Sequence, residues 1–210
     1  HSGNRRMRFE ITDTTIEYLT ANYHSVEWSL SPKTEDLRPF QWYNYHEDQG
    51  ERFVLDLRYT SYLNIEELAR CQQPLETELF KNMESRRRRN LREAYRDGAR
   101  FETGCSTGTL LSFYRQLMED QGAVPEKTKL ARIEHLLDSH SDANQGLSFL
   151  ARSPSGEPIY PAFFAWDSKR AYYLFGGGET QSKRKYQGTF LFWEAISFLA
   201  KEMKIREIDW

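Results

Sequence analysis

From residue 146 onward the chain runs through two hydrophobic periods in an order that few folds accommodate. Three short β-type runs, GLSFLAR, IYPAFFAW and RAYYLFG, are separated only by the turn text SPSGEP and DSK, the punctuation of an antiparallel meander. The apolar spacing then becomes helical in TFLFWEAISFLAKEM and β-type again in IREIDW. A strand that returns after such a helix can pair parallel with the third meander strand, since parallel pairing needs a crossover of roughly a dozen residues or more. The order predicts a mixed α/β fold: one mixed sheet, an antiparallel meander followed by β-α-β, flanked by helices.

Upstream text supplies the flanking helices. Residues 74–97 read as helix, broken near Ser85 as an N-cap and stopped by Gly98. ARFETGC reads as a strand, residues 109–122 as a helix with Leu110, Phe113 and Leu117 at helical spacing, and a second helix follows from Glu126. Residues 52–65 alternate and are rich in β-branched and aromatic side chains, which predicts an extended segment or strand, with short helical text from Glu66. Residues 1–50 are poorly defined beyond a helix over 14–22 and the aromatic cluster PFQWYNYH at 39–46.

The third meander strand ends in Gly176, Gly177 and Gly178 and is followed by Lys183, Arg184, Lys185 and Gly188 before the helix begins. A strand that delivers glycines to a helix start gathers backbone N–H groups at the positive end of a helix dipole, and glycine permits close approach of a phosphate. The loop's local charge is +2, three basic residues against Glu179. A flexible turn with solvated lysines is the plainer alternative. A second basic concentration lies in SRRRRNLREAYR: residues 81–100 hold eight basic and three acidic residues, a balance of +5. Because the net charge of the whole chain is -2, any anion site is local. Arg88 and Arg92 can share a helix face, as can Arg89, Arg92 and Arg96. This helix reads either as a site for a diphosphate, a tRNA backbone or an anionic glycan precursor, or as a solvated face ion-paired to Glu84, Glu93 and Asp97.

Taken together, the meander, the YYLFGGG strand end, the basic loop with Gly188, the helix FLFWEAISFLAKEM and IREIDW resemble the GNAT fold, and more closely its FemAB-like branch. RRNLREAYRDGARFE resembles that family's basic helix, and the likeness covers roughly residues 55–210. It implies an N-acyltransferase that moves an acyl or aminoacyl group from acyl-CoA (acetyl-CoA) or aminoacyl-tRNA to an amine acceptor of the cell-envelope or polysaccharide-precursor kind. It also implies that residues 1–50 are the remnant of a preceding GNAT-like half and 51–210 the acyltransferase domain, cut short at its C-terminus; the start without Met and the end in IREIDW agree with a trimmed chain. The GNAT pyrophosphate loop reads Gln or Arg, two residues, Gly, one residue, then Gly or Ala; here Lys185 and Gly188 stand in the first two places and Phe190 in the last, which favours the FemAB-like side. In that framework Gly176, Gly177, Gly178, Lys183, Arg184, Lys185 and Gly188 bind the donor, and Arg89, Asn90, Arg92 and Tyr172 the substrate. A different class of reading is a non-catalytic module of the same fold that holds an anionic polymer or nucleotide-type ligand on the arginine helix.

Acyl transfer to an amine needs a neutral nucleophile, a proton route and a stabilised oxyanion, and no Ser-His-Asp or Cys-His signature stands in the chain. Direct attack in a ternary complex is the economical mechanism. Candidate proton-handling residues are Glu194 on the helix after the loop, Asp209 on the last strand and Tyr173, with Tyr172 as an orienting hydroxyl. The five histidines have no metal-ligand spacing, which argues against zinc. Cys71 and Cys105 fit a reducing compartment, and with no run of roughly 18 apolar residues and no signal peptide the expected location is cytoplasmic.

Overall fold

The computed structural model describes residues 2–32, 34–48, 50–178 and 185–210. The chain divides into two units, His1–Thr60 and Ser61–Trp210.

In the first unit, helix α1 (Ser2–Asn22) begins a dozen residues earlier than the sequence suggests and is followed by the short α2 (Arg38–Trp42). Ile16, Pro39 and Phe40 are the buried residues among those described in this unit. Edge-on aromatic pairs supply most of the packing: Phe9 with Trp42, and Phe40 with both Trp28 and Phe53, at 5.5–5.8 Å between ring centres. Of the extended segment or strand expected over 52–65, only Tyr62–Asn64 is a strand; among the described residues no strand pairs 52–60, and Val54 and Tyr59 stand 93% and 88% exposed. Period-2 text becomes a strand only where a partner ladder exists.

The second unit opens with β1 (Tyr62–Asn64) and α3 (Glu66–Arg70). The predicted helix over 74–97 is three pieces: a 3₁₀ turn Pro74–Glu76, α4 (Glu78–Lys81) and α5 (Ser85–Asp97). Thr77 is extended and its hydroxyl caps Phe80 N–H at 3.2 Å, which starts a new helix there. The N-cap of α5 is Glu84 rather than Ser85, because the first intrahelical bond runs from Arg88 N–H to the Glu84 carbonyl. Gly98 takes the left-handed conformation (φ 78°) that ends α5. Then come β2 (Arg100–Thr103), α6 (Thr107–Asp120), α7 (Lys127–Asp142), β3 (Gly146–Arg152), β4 (Pro158–Trp166), β5 (Arg170–Gly176), α8 (Gln187–Lys201) and β6 (Glu207–Asp209).

The six strands form one sheet in the order β1-β6-β5-β4-β3-β2. Every pairing is antiparallel except β5 with β6, which is parallel as the β-α-β order requires. One face carries α8, whose Phe190, Leu191, Trp193, Ala195 and Leu199 join Phe149, Phe164, Ala171 and Ile208 of the sheet and Leu91 and Ala94 of α5 in the main core. The opposite face packs Phe163 and Ala165 against Leu110 of α6 and Leu137 of α7. β4 is thus apolar on both faces, which is why IYPAFFAW does not alternate. Leu91 is fully buried between α5 and the main core. Leu91→Ala is expected to lower unfolding free energy by about 2–5 kcal/mol, read by urea denaturation.

Candidate functional site

Contacts between α5 and α8 fix the geometry of the site. Arg87 Nη1 donates to Thr189 Oγ1 at 3.2 Å, Asn90 Nδ2 to the Lys185 carbonyl at 3.1 Å, and the Tyr95 hydroxyl to Glu194 Oε1. The Tyr95 ring meets Phe190 edge-on at 5.7 Å. From Arg87–Thr189 to Tyr95–Glu194 the helix-to-helix contacts advance along both helices, so α5 and α8 run parallel with their N-termini at one end, while Asn90 reaches back to Lys185 just before α8. Neither start has a side-chain cap hydrogen bond, and neither has an acidic residue in its first turn, although the N-cap of α5 is itself the acidic Glu84. Each end carries a partial positive charge of roughly half an elementary unit.

To that end α5 adds its arginines. Arg88 donates to the Lys81 carbonyl at 2.6 Å and Arg92 lies 5.3 Å over the Phe80 ring, so these two do share a face. Arg86, Arg87 and Arg89 are exposed. Among the described residues no carboxylate pairs with any of Arg86, Arg87, Arg88, Arg89 or Arg92; only Arg96 has its acid, Asp97 at 3.2 Å. The ion-paired reading of this helix therefore fails for most of its arginines. Cations at a helix N-terminus run against the dipole, which makes the cluster costly unless an anion sits there.

The glycine run lies beside the start of α8. Gly176 pairs with Ala162, and a methyl group on it would stand 2.7 Å from the Pro161 carbonyl oxygen. Gly178 and Gly188 both lie against the Tyr160 ring. Gly177 is buried, Lys185 is exposed with its carbonyl held by Asn90, and Lys183 and Arg184 lie outside the described residues. Phe190 is buried at the α5 contact, so its bulk is taken up by the core.

On β5, Phe175 faces Phe163 and Tyr173 faces Phe164, leaving Leu174 without a β4 partner: a β-bulge. It switches the faces of the strand. Tyr173 packs on Phe192 of α8 at 5.0 Å, whereas Phe175, two residues on, packs on Tyr114 of α6 at 4.8 Å. Parallel pairing with β6 ends at Tyr172↔Asp209, so the sheet opens beside the bulge. Phe164, Tyr173, Phe192 and Trp210 cluster there. Tyr172 and Asp209 share the opposite face. The Tyr172 hydroxyl donates to Asp167 Oδ2 at 2.8 Å, and this bond pushes the phenol up. Burial alone would raise Asp167, but N–H groups of Arg170 and Lys169 together with Tyr172 hold it below the usual carboxylate range.

The three proton-handling candidates therefore occupy three places: Tyr173 on the α8 face at the opening, Asp209 on the other face, and Glu194 between α8 and α5. The binding candidates converge better, since Asn90 joins the arginine helix to the glycine loop. Sequence reading missed Arg87, Tyr95, Tyr160 and Asp167. Asp167 alone had a local signal, the DSKR turn it starts. Uncapped first-turn amides with a guanidinium beside them suit phosphate oxygens, so a phosphate-bearing acyl donor fits this set. Among the described residues no group of three or more His, Cys, Asp or Glu is placed to hold a metal ion, and no helix is long and apolar enough to cross a membrane.

Burial raises the Glu194 carboxyl above its ordinary value of 4.5, only partly offset by the Tyr95 hydrogen bond and Lys201. The folded state then holds a proton that the unfolded state has released, so this group's contribution to stability falls as pH rises from about 4.5 through the folded value. Glu194→Gln, which still accepts the Tyr95 bond, is expected to gain stability relative to wild type over that window; parallel pH profiles of thermal unfolding check it.

Residues 81–210 match the family described as acetyltransferase (GNAT) domain. No curated protein sequence matches the chain. Among solved structures, FemX superposes with a TM-score of 0.57 at 13% identity over 72% of this chain and 52% of its own, so the chain spans about half the length of FemX. L-PGS from Bacillus licheniformis (TM-score 0.48, 12% identity, 72% and 43% covered) is also similar. So is a predicted acetyltransferase with acetyl-CoA from Clostridium acetobutylicum (0.42, 15%, 52% and 78%). At such identities the FemX likeness speaks for the fold alone, but the family match spans more than half of the sequence and coincides with the β-β-β-α-β core and its basic helix: the chain belongs to the GNAT acetyltransferase family.

Proposed function

We propose that this protein is an N-acyltransferase whose phosphate-bearing donor, acyl-CoA or aminoacyl-tRNA, binds where the N-termini of α5 and α8 meet. The observation that carries the reading is that shared end: two uncapped helix starts, Arg87 between them, and neighbouring arginines without carboxylate partners. Arg87, Lys185 and the first-turn amides of Gly188 and Thr189 hold the phosphates. Bound there, the donor supplies an acyl carbonyl joined through a thioester or an ester.

Backbone amides at the Leu174 bulge stand beside the opening between β5 and β6 and take the carbonyl oxygen's developing charge. The amine nitrogen bonds to the carbonyl carbon as the bond to sulfur or oxygen breaks. The amine releases its proton to water at the opening, since Asp209 lies on the opposite face of the sheet with Tyr172. Burial pushes the Tyr173 phenol well up, helped by Tyr160, so it stays protonated at neutral pH and returns a proton to the leaving group. Glu194 holds α5 against α8 through Tyr95. The resemblance of the sequence to the FemAB-like branch favours a cell-envelope precursor as acceptor.

Calorimetric titration with acetyl-CoA and with aminoacyl-tRNA tests the reading. One of them is expected to bind, and Arg87→Glu to weaken it at least tenfold, about 1.4 kcal/mol. Binding of neither contradicts the donor site; steeply salt-dependent binding of an anionic polymer without turnover supports the non-catalytic module instead.

A further inference from the structure

We infer that Tyr160 is a positioning residue for the donor: one edge of its ring meets both Gly178 and Gly188 and sets how the end of β5 and the first turn of α8 pack. The inference rests on the donor reading above and assigns a determinant of donor affinity that lies on neither the loop nor the helix.

Gly178 ends the glycine run and Gly188 is the second residue of α8, yet both backbones lie against one edge of the same ring. A methyl group on Gly178 would come within 2.5 Å of Tyr160 Cδ2, and one on Gly188 within 3.1 Å of Cε2. Real Cβ atoms essentially never come as close as the first distance and seldom as close as the second, so glycine at these two places serves the contact with Tyr160. The ring has little room to withdraw. Its backbone is held in the ladder opposite Ala151 of β3, Phe192 of α8 packs on it edge-on at 5.9 Å, and its phenol meets that of Tyr173. Gln187 adds a second contact: it is 6% exposed, and its Oε1 stands 2.5 Å from the same methyl position on Gly178.

The strand end, the ring and the helix start therefore form one packed unit, and the first-turn amides of α8 are placed by it. A smaller ring lets Gly188 and Thr189 move off the phosphate position while α5 and its arginines stay where they are. Tyr160 meets Gly178 and Gly188 through its ring carbons, so phenylalanine preserves the contact and alanine or leucine does not.

The test is donor titration by calorimetry, using whichever of acetyl-CoA and aminoacyl-tRNA binds the wild type, with thermal unfolding of every variant alongside. Tyr160→Phe is expected to keep wild-type affinity, and Tyr160→Ala and Tyr160→Leu to lose at least tenfold. Gly188→Ala is expected to lose affinity in the wild-type background and much less in Tyr160→Leu, because the clash is with the ring. If the folded leucine variant binds donor as wild type does, or Gly188→Ala costs the same in both backgrounds, the positioning role is overturned and the donor site stands. If wild type binds neither probe, the donor site itself is wrong and the positioning role falls with it.

Discussion

The parallel docking of α5 on α8 is the constraint on which the site depends. Two half-charges of like sign about 9 Å apart repel by roughly 0.5 kcal/mol at an effective dielectric near 20. Burying one leucine such as Leu91 in the same interface is worth several times that. Packing therefore prevails, and the polar cross-links from Asn90 and Tyr95 set the register. What remains at the shared end is a positive potential that Glu84 at the N-cap of α5 offsets only in part, because the neighbouring arginines outnumber it.

Much of the fold was legible because its signals are local. Three β-type runs with turn text between them, a helix and a closing strand give the mixed sheet, and these elements form where the sequence puts them except that α8 starts at Gln187, which takes Gly188 out of the loop and into the helix. The failures are equally physical. Residues 52–60 have strand composition but no ladder, and no local pattern reports the presence of a partner. Ser85 has a cap's chemistry, yet the first helical bond is accepted one residue earlier, at Glu84.

The site was legible only in part. Glycines, basic residues and the arginine run were visible as text, and Asn90 was picked out within that run. That Asn90 reaches the loop, that Arg87 reaches Thr189, and that a bulge turns Tyr173 and Phe175 to opposite faces are properties of tertiary packing. Glycine was read as freedom for the backbone to approach a phosphate. In the fold, Gly178 and Gly188 are first of all places where a tyrosine ring fits. Family membership gives the scaffold and the reaction class, while the donor and acceptor are decided by side chains grafted on it.

The account centres on one electrostatic site made by two helix ends, and a crystal structure with bound CoA tests it most directly. The account predicts the diphosphate within hydrogen-bond distance of the Gly188 and Thr189 amides, with the Arg87 guanidinium on a phosphate oxygen. Diphosphate bound elsewhere on the sheet, with Arg87 still on Thr189 and the α8 start untouched, would contradict it.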